Sequence, residues 1–176
     1  MHEFIIKEID FFKNNIDNTF LILIITTTIL LYVFSLFKGK VLWFALITLP
    51  ATFFHELTHF IISLITGGMP RGFSVIPRKG ENGGYVLGSV SSYNITWYNG
   101  FLVGLAPLLL LPIAYLGLKL LMVEEQSIVM LSVYSYLIAN LIEGSIPSTT
   151  DFKLAFTASY PILIALIAVA AIISLR

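Results

Sequence analysis

Apolar residues in this chain gather into long runs instead of alternating with polar ones. The runs cover residues 19–37, 41–66, 98–122, 127–146 and 154–175, each near the roughly 20 helical residues that cross a hydrocarbon core. The pattern predicts an all-α polytopic membrane protein, one integral domain of about five transmembrane helices behind an N-terminal tail at 1–18. Two prolines modify it. Pro50 predicts a bend and freed carbonyls in the second helix, and Pro161 allows the regular part of the fifth to begin near Tyr160, with proline in the first turn.

One stretch departs from the pattern. Residues 67–94, "GGMPRGFSVIPRKGENGGYVLGSVSSYN", are Gly-rich and hold two short β-type runs, 73–76 and 85–90, on either side of "RKGENGG". The Asn82-Gly83 pair is a turn signal, so the segment reads as a membrane-associated β-hairpin between helices 2 and 3. Irregular backbone at membrane depth needs protein or water to satisfy it, so a re-entrant hairpin implies a wet cavity nearby.

Composition agrees with a membrane class. Of 176 residues 57% are hydrophobic and 11% charged, mean hydropathy is +0.92, and net charge is zero. No block of like charge points to nucleic acid. No cysteine is present, which removes disulfides and thiolate ligands. The long acidic tail before the first run, without a small-residue cleavage site, predicts a retained helix instead of a signal peptide. Strict alternation of five crossings puts the tail, the hairpin and the 147–153 loop on one side, with the 38–40 turn, the 119–126 turn and the C-terminus opposite. Lys7, Lys13, Arg71, Arg78, Lys79 and Lys153 against Lys38, Lys40, Lys119 and Arg176 then predicts a cytoplasmic hairpin side in a cell membrane.

The second run contains the chemistry. In "TFFHELTHFI", His55, Glu56 and His59 form H-E-x-x-H. Positions i and i+4 stack on one helix face, so both imidazoles can reach one metal ion, with Glu56 about 100° around as a base for water. A catalytic zinc usually takes three protein ligands. His2 is the only other histidine and lies in the tail, so a carboxylate is expected. Glu124 and Glu125 should lie on the far face, Glu81 in the turn, and Glu3, Glu8, Asp10 and Asp17 in the tail. Glu143 and Asp151 remain, in "NLIEGSIPSTTDFK", where Gly144 and Pro147 loosen the fourth helix. Asp151 is the first choice and Glu143 the alternative, with a role orienting a ligand imidazole also open to Glu143.

"HELTH" in a membrane helix, a Gly-rich hairpin, "GFLVGLAPLLL", and then a Pro-containing segment ending in an acid resemble the site-2 protease family of intramembrane zinc metalloproteases, over about residues 42–152. The resemblance implies one Zn2+ per chain on His55, His59 and Asp151, Glu56 as catalytic base, a transmembrane-helix substrate, and a cytosolic-side centre. Gly104 to Pro107 resembles the family's Gly-Pro motif. Gly144 and Phe152 stand where the family has asparagine and glycine, which leaves Asn140 as the substitute oxyanion donor. Hydrolysis of a peptide bond requires the substrate helix to unwind, and Tyr85, Val86, Leu87, Gly88, Ser89 and Val90 offer a strand edge for it. Gly100 and Gly104 form a G-x-x-x-G face expected to make helix contacts. Rival readings are a non-catalytic zinc-binding adaptor, or an ion or metal transporter. A regulatory membrane partner is left open.

Overall fold

The computed structural model describes residues 2–15, 18–80, 83–121 and 127–174. Helices dominate, with two small two-stranded sheets. Among the described residues, α2 (Asn18–Phe37) is long and apolar enough by itself to cross a membrane. Up to three such spans result if each of two bent helix pairs counts as one. The exterior is more apolar than much of the interior: Leu21, Ile25, Ile29 and Leu36 of α2 face outward, while Thr27, Thr48, Ser63, Asn99, Ser135 and Asn140 are buried.

The tail is not irregular. It forms the helix α1 (His2–Asn15), with Glu8 accepting hydrogen bonds from Lys119 Nζ at 2.7 Å and from the Tyr115 hydroxyl. Those bonds, Lys119 first, hold the Glu8 carboxyl below its ordinary range. Lys119 also lies 4.4 Å from the centroid of the Phe11 ring.

The second apolar run is two helices, α3 (Val41–Ile47) and α4 (Leu49–Ile65), bent by 74° at Thr48. The break falls just before Pro50 because a continuous helix would drive the proline ring into the Leu46 carbonyl. Placed in the first turn of α4, Pro50 lacks only an N–H that would have had no helical partner. Neighbouring α7 (Ile128–Gly144) satisfies two backbone groups at the break. Tyr136 Oη donates to the Ile47 carbonyl at 2.8 Å, and Asn140 Oδ1 accepts from the Ala51 N–H at 3.1 Å.

The third run is divided as well, into α5 (Gly100–Gly104), a 3-10 turn (Ala106–Leu109) carrying Pro107, and α6 (Leu110–Leu121). The last helix, α8 (Thr149–Ser174), begins well before Tyr160 and carries Pro161 inside it. Its first part bends 47° from α7. Leu23 of α2 with Leu131 and Ile138 of α7 form the apolar core, with Leu118, Leu121, Tyr134 and Ile142 packed against them.

Between α4 and α5 the chain forms the expected hairpin, differently divided. β1 (Pro70–Ser74) pairs antiparallel with β4 (Ser89–Ser92), and β2 (Arg78–Lys79) with β3 (Tyr85–Val86). Gly72, at φ 71°, sits where the β1 register shifts, as a bulge requires. The expected strand at 85–90 is interrupted at Leu87 and Gly88. Of the turn signal, Glu81 and Asn82 lie outside the described residues, as do Asp17, Glu124 and Glu125. Gly83 has φ 77°, and the Gly80 N–H donates to Gly84 O at 2.8 Å.

Strict alternation fails at the first helix. α2 and α7 run parallel, with Thr26 Oγ1 2.6 Å from Ser135 Oγ near their middles and Lys38 Nζ 2.9 Å from Glu143 Oε1 at their C-terminal ends. From Lys38 the chain runs back through α3 to the level of Tyr136 before α4 returns toward Gly144. The 38–40 turn, expected opposite the 147–153 loop, therefore lies beside it. The tail, expected with the hairpin, docks at the Lys119 end.

Candidate metal centre

α4 has a proline-capped start and no internal glycine or proline until Thr66, so its regular turns place His55 and His59 on one face. Each ring is fixed from behind by a main-chain carbonyl on another element. His55 Nδ1 donates to Gly144 O at 2.8 Å, and His59 Nδ1 donates to Val103 O at 2.8 Å. A carbonyl can only accept, so the proton of each neutral ring is on Nδ1 and both Nε2 lone pairs point forward.

The two Nε2 atoms face one another at 3.2 Å. Asp151 closes the triangle, with one carboxylate oxygen 3.3 Å from His55 Nε2 and the other 3.2 Å from His59 Nε2. Two ring lone pairs and a carboxylate converging at these distances repel unless a cation lies among them. The separations also match the edge of a tetrahedron, about 3.3 Å for zinc bonds of about 2.0 Å. His55, His59 and Asp151 thus form a group that could hold a metal ion, and two nitrogens with a carboxylate suit zinc.

Asp151 is positioned by a capping box at the start of α8. Ser148 Oγ accepts from the Asp151 N–H at 3.2 Å, and Asp151 Oδ2 accepts from the Ser148 N–H at 2.6 Å. The Ser148-x-x-Asp151 spacing is visible in the sequence and explains how an acid on a helix start can be both capping group and ligand.

Glu143, the alternative ligand, is not part of the group, because its carboxylate is paired with Lys38. Asn140 is fully buried, accepting from Ala51 and donating from Nδ2 to Tyr136 O at 2.9 Å. It supports the α4 start from a neighbouring helix and is not among the residues that line the cavity holding His55, Glu56 and His59. Glu143 and Asn140 are thus placed outside the group, Glu143 by Lys38 from the turn before α3 and Asn140 by the Ala51 N–H of α4.

Glu56 is 7% exposed and lines the same cavity as the histidines. No group among the described residues hydrogen-bonds its carboxylate. The break in the hairpin passes directly over it: a Cβ on Gly88 would lie 2.7 Å from Glu56 Cγ, Glu56 Oε1 and Thr52 Cγ2. Tyr85, Val86, Leu87, Gly88, Ser89 and Val90 all line the cavity, whose volume is about 830 Å³. β3 and β4 are each paired on one side only. Missed in the sequence were Lys38 and Arg78, two cations on the cavity wall, and the Gly144 and Val103 carbonyls, which carry no sequence signal because any residue supplies a carbonyl.

The glycine face behaves as expected. A Cβ on Gly100 would meet Ala158 Cβ at 2.2 Å, and one on Gly104 would meet Asp151 O at 2.5 Å, so α5 and α8 approach backbone to backbone. Gly144 does the same against α4, where a Cβ would lie 2.6 Å from Ala51 O.

No protein-family model, curated protein or solved structure matches this chain.

Proposed function

We propose that this chain is an intramembrane zinc metalloprotease of the site-2 type, hydrolysing peptide bonds of transmembrane-helix substrates within or at the edge of the bilayer. The observation that carries the reading is the convergence of His55 Nε2, His59 Nε2 and the Asp151 carboxylate at 3.2–3.3 Å, with the unpaired carboxylate of Glu56 in the same cavity. The apolar exterior of α2 supports a bilayer setting. In this reading α2, α3 with α4, α5 with α6, α7, and α8 are the five embedded segments.

His55, His59 and Asp151 would hold the ion, and the Gly144 and Val103 carbonyls keep the two rings aimed. Bound zinc supplies Lewis-acid activation of water and of a peptide carbonyl. Glu56 accepts the proton from the attacking water and delivers it to the leaving amine. An unwound substrate strand lies along the free edge of β3 or β4, which brings one of its peptide bonds over α4. The hairpin break at Leu87 and Gly88 keeps the roof over Glu56 free of side-chain bulk.

The test is zinc content with cleavage of a single-span substrate in liposomes, for wild type and Glu56→Gln. The expected result is bound zinc in both and a loss of cleavage by at least about 100-fold in the variant. Equal cleavage by the two proteins ends the reading. Zinc in both with cleavage in neither would favour the non-catalytic adaptor, and ion flux without cleavage the transporter.

A further inference from the structure

With a divalent ion counted in the metal group, the charged side chains among the described residues that line the cavity balance in groups, except for one cation. Lys38 is paired with Glu143 at 2.9 Å. Asp151 faces the two histidines, and with Glu56 it would offset the charge of a divalent ion in that group. Arg78, on β2, also lines the cavity. Its Nη2 donates to Ser89 Oγ at 3.1 Å, and no carboxylate among the described residues lies within ion-pair distance of it. Ser89 is the residue after Gly88, so this contact holds the guanidinium beside the hairpin break that roofs Glu56.

A guanidinium keeps its charge at any accessible pH and presents donors in a planar fork that matches a carboxylate. One hydrogen bond to a hydroxyl uses little of that capacity. Arg78 is exposed on β2, so its donor fork is open to a ligand, and a guanidinium with no carboxylate partner among the described residues is suited to recognising an anion.

Resting on the protease reading, we propose that Arg78 is a specificity-determining residue that pairs with a carboxylate of the substrate, on the stretch that lies along the hairpin close to the cleaved bond. The shared chemistry has two sources, an Asp or Glu side chain or a free C-terminal carboxylate. The Lys38–Glu143 pair shows that the cavity wall already accommodates a cation with a carboxylate. Anionic lipid headgroups are the competing occupant of a basic group at a membrane surface.

Binding separates this proposal from the catalytic reading. Zinc-loaded Glu56→Gln protein in zwitterionic micelles is titrated with single-span peptides that differ only in having Glu or Gln at successive positions flanking the unwound stretch. A further pair ends there in a free or an amidated C-terminus. A Glu peptide should bind about tenfold more tightly than its Gln counterpart at one or two adjacent positions, or the free acid more tightly than the amide, which identifies the source. Adding Arg78→Gln should abolish the difference with zinc content unchanged. Arg78→Lys should keep part of it, and Arg78→Glu should reverse it toward a Lys peptide. No preference in the parent protein, or a preference that survives Arg78→Gln, overturns the proposal. So does a preference that appears only when anionic lipid is added, since the headgroup is then the occupant. Loss of cleavage discrimination is not the readout, so failure of the protease reading would be seen separately in the wild-type against Glu56→Gln assay.

Discussion

At the scale of single residues, the site is built by tying polar groups to particular partners and leaving particular faces free. The two imidazoles spend Nδ1 on carbonyls and keep Nε2; Glu143 is spent on Lys38; Asn140 is spent on the start of α4. Asp151 therefore differs from Glu143 in a way that metal analysis can read. Asp151→Ala should reduce zinc affinity by more than the 10- to 100-fold typical of losing a group behind a ligand, whereas Glu143→Ala should leave zinc at about one per chain. Stoichiometry by elemental analysis after dialysis checks this, and equal zinc loss in both variants would make the Lys38–Glu143 pair a part of the site.

At the scale of elements, the metal group depends on seams between helices that approach too closely for side chains. The α5–α8 seam is the clearest, since Val103 of α5 fixes His59 and Asp151 opens α8. Gly104→Val should push these helices apart, costing about 1–3 kcal/mol by overpacking, and should weaken zinc binding in the same variant. Gly117→Ala is the control, because a Cβ at Gly117 meets nothing within 4 Å and alanine favours the helix by up to about 1 kcal/mol. Thermal unfolding in detergent with and without a chelator measures both. A Gly104→Val protein with unchanged melting temperature and zinc content would mean the seam is looser than its distances state.

At the scale of the whole molecule, the return of α3 changes which groups share a side. Lys38, Lys40, Arg71, Arg78, Lys79 and Lys153 now gather around the cavity end, against Lys7, Lys13 and Lys119 at the other. Lys38 and Lys40 take the places of Lys7 and Lys13, so the cavity end keeps the six cations that the sequence count gave it, while the N-terminal helix moves to the opposite end. The chain has no cysteine, so single cysteines can report the arrangement directly. Lys7→Cys and Lys79→Cys should label with an impermeant thiol reagent from opposite faces of sealed vesicles. Labelling from the same face would contradict the docking of α1 on Lys119.

The sequence by itself determined the features that depend on local order along the chain. Apolar runs identified helices because a membrane helix satisfies its own backbone. H-E-x-x-H placed His55, Glu56 and His59 together because helical geometry is fixed over four residues. The Gly-rich interruption marked the hairpin. Tertiary structure alone decided what depends on a partner distant in sequence. Whether Glu143 or Asp151 completes the group was settled by Lys38, 105 positions away from Glu143 by subtraction of their numbers. That Asn140 is tied to the start of α4 was decided by the Ala51 N–H, and the end at which the tail lies was decided by Glu8 meeting Lys119. Hydrophobic periodicity reports that a residue is embedded, but it does not report which neighbour uses its polar atoms, and in a largely apolar chain those few polar pairings fix both the topology and the site.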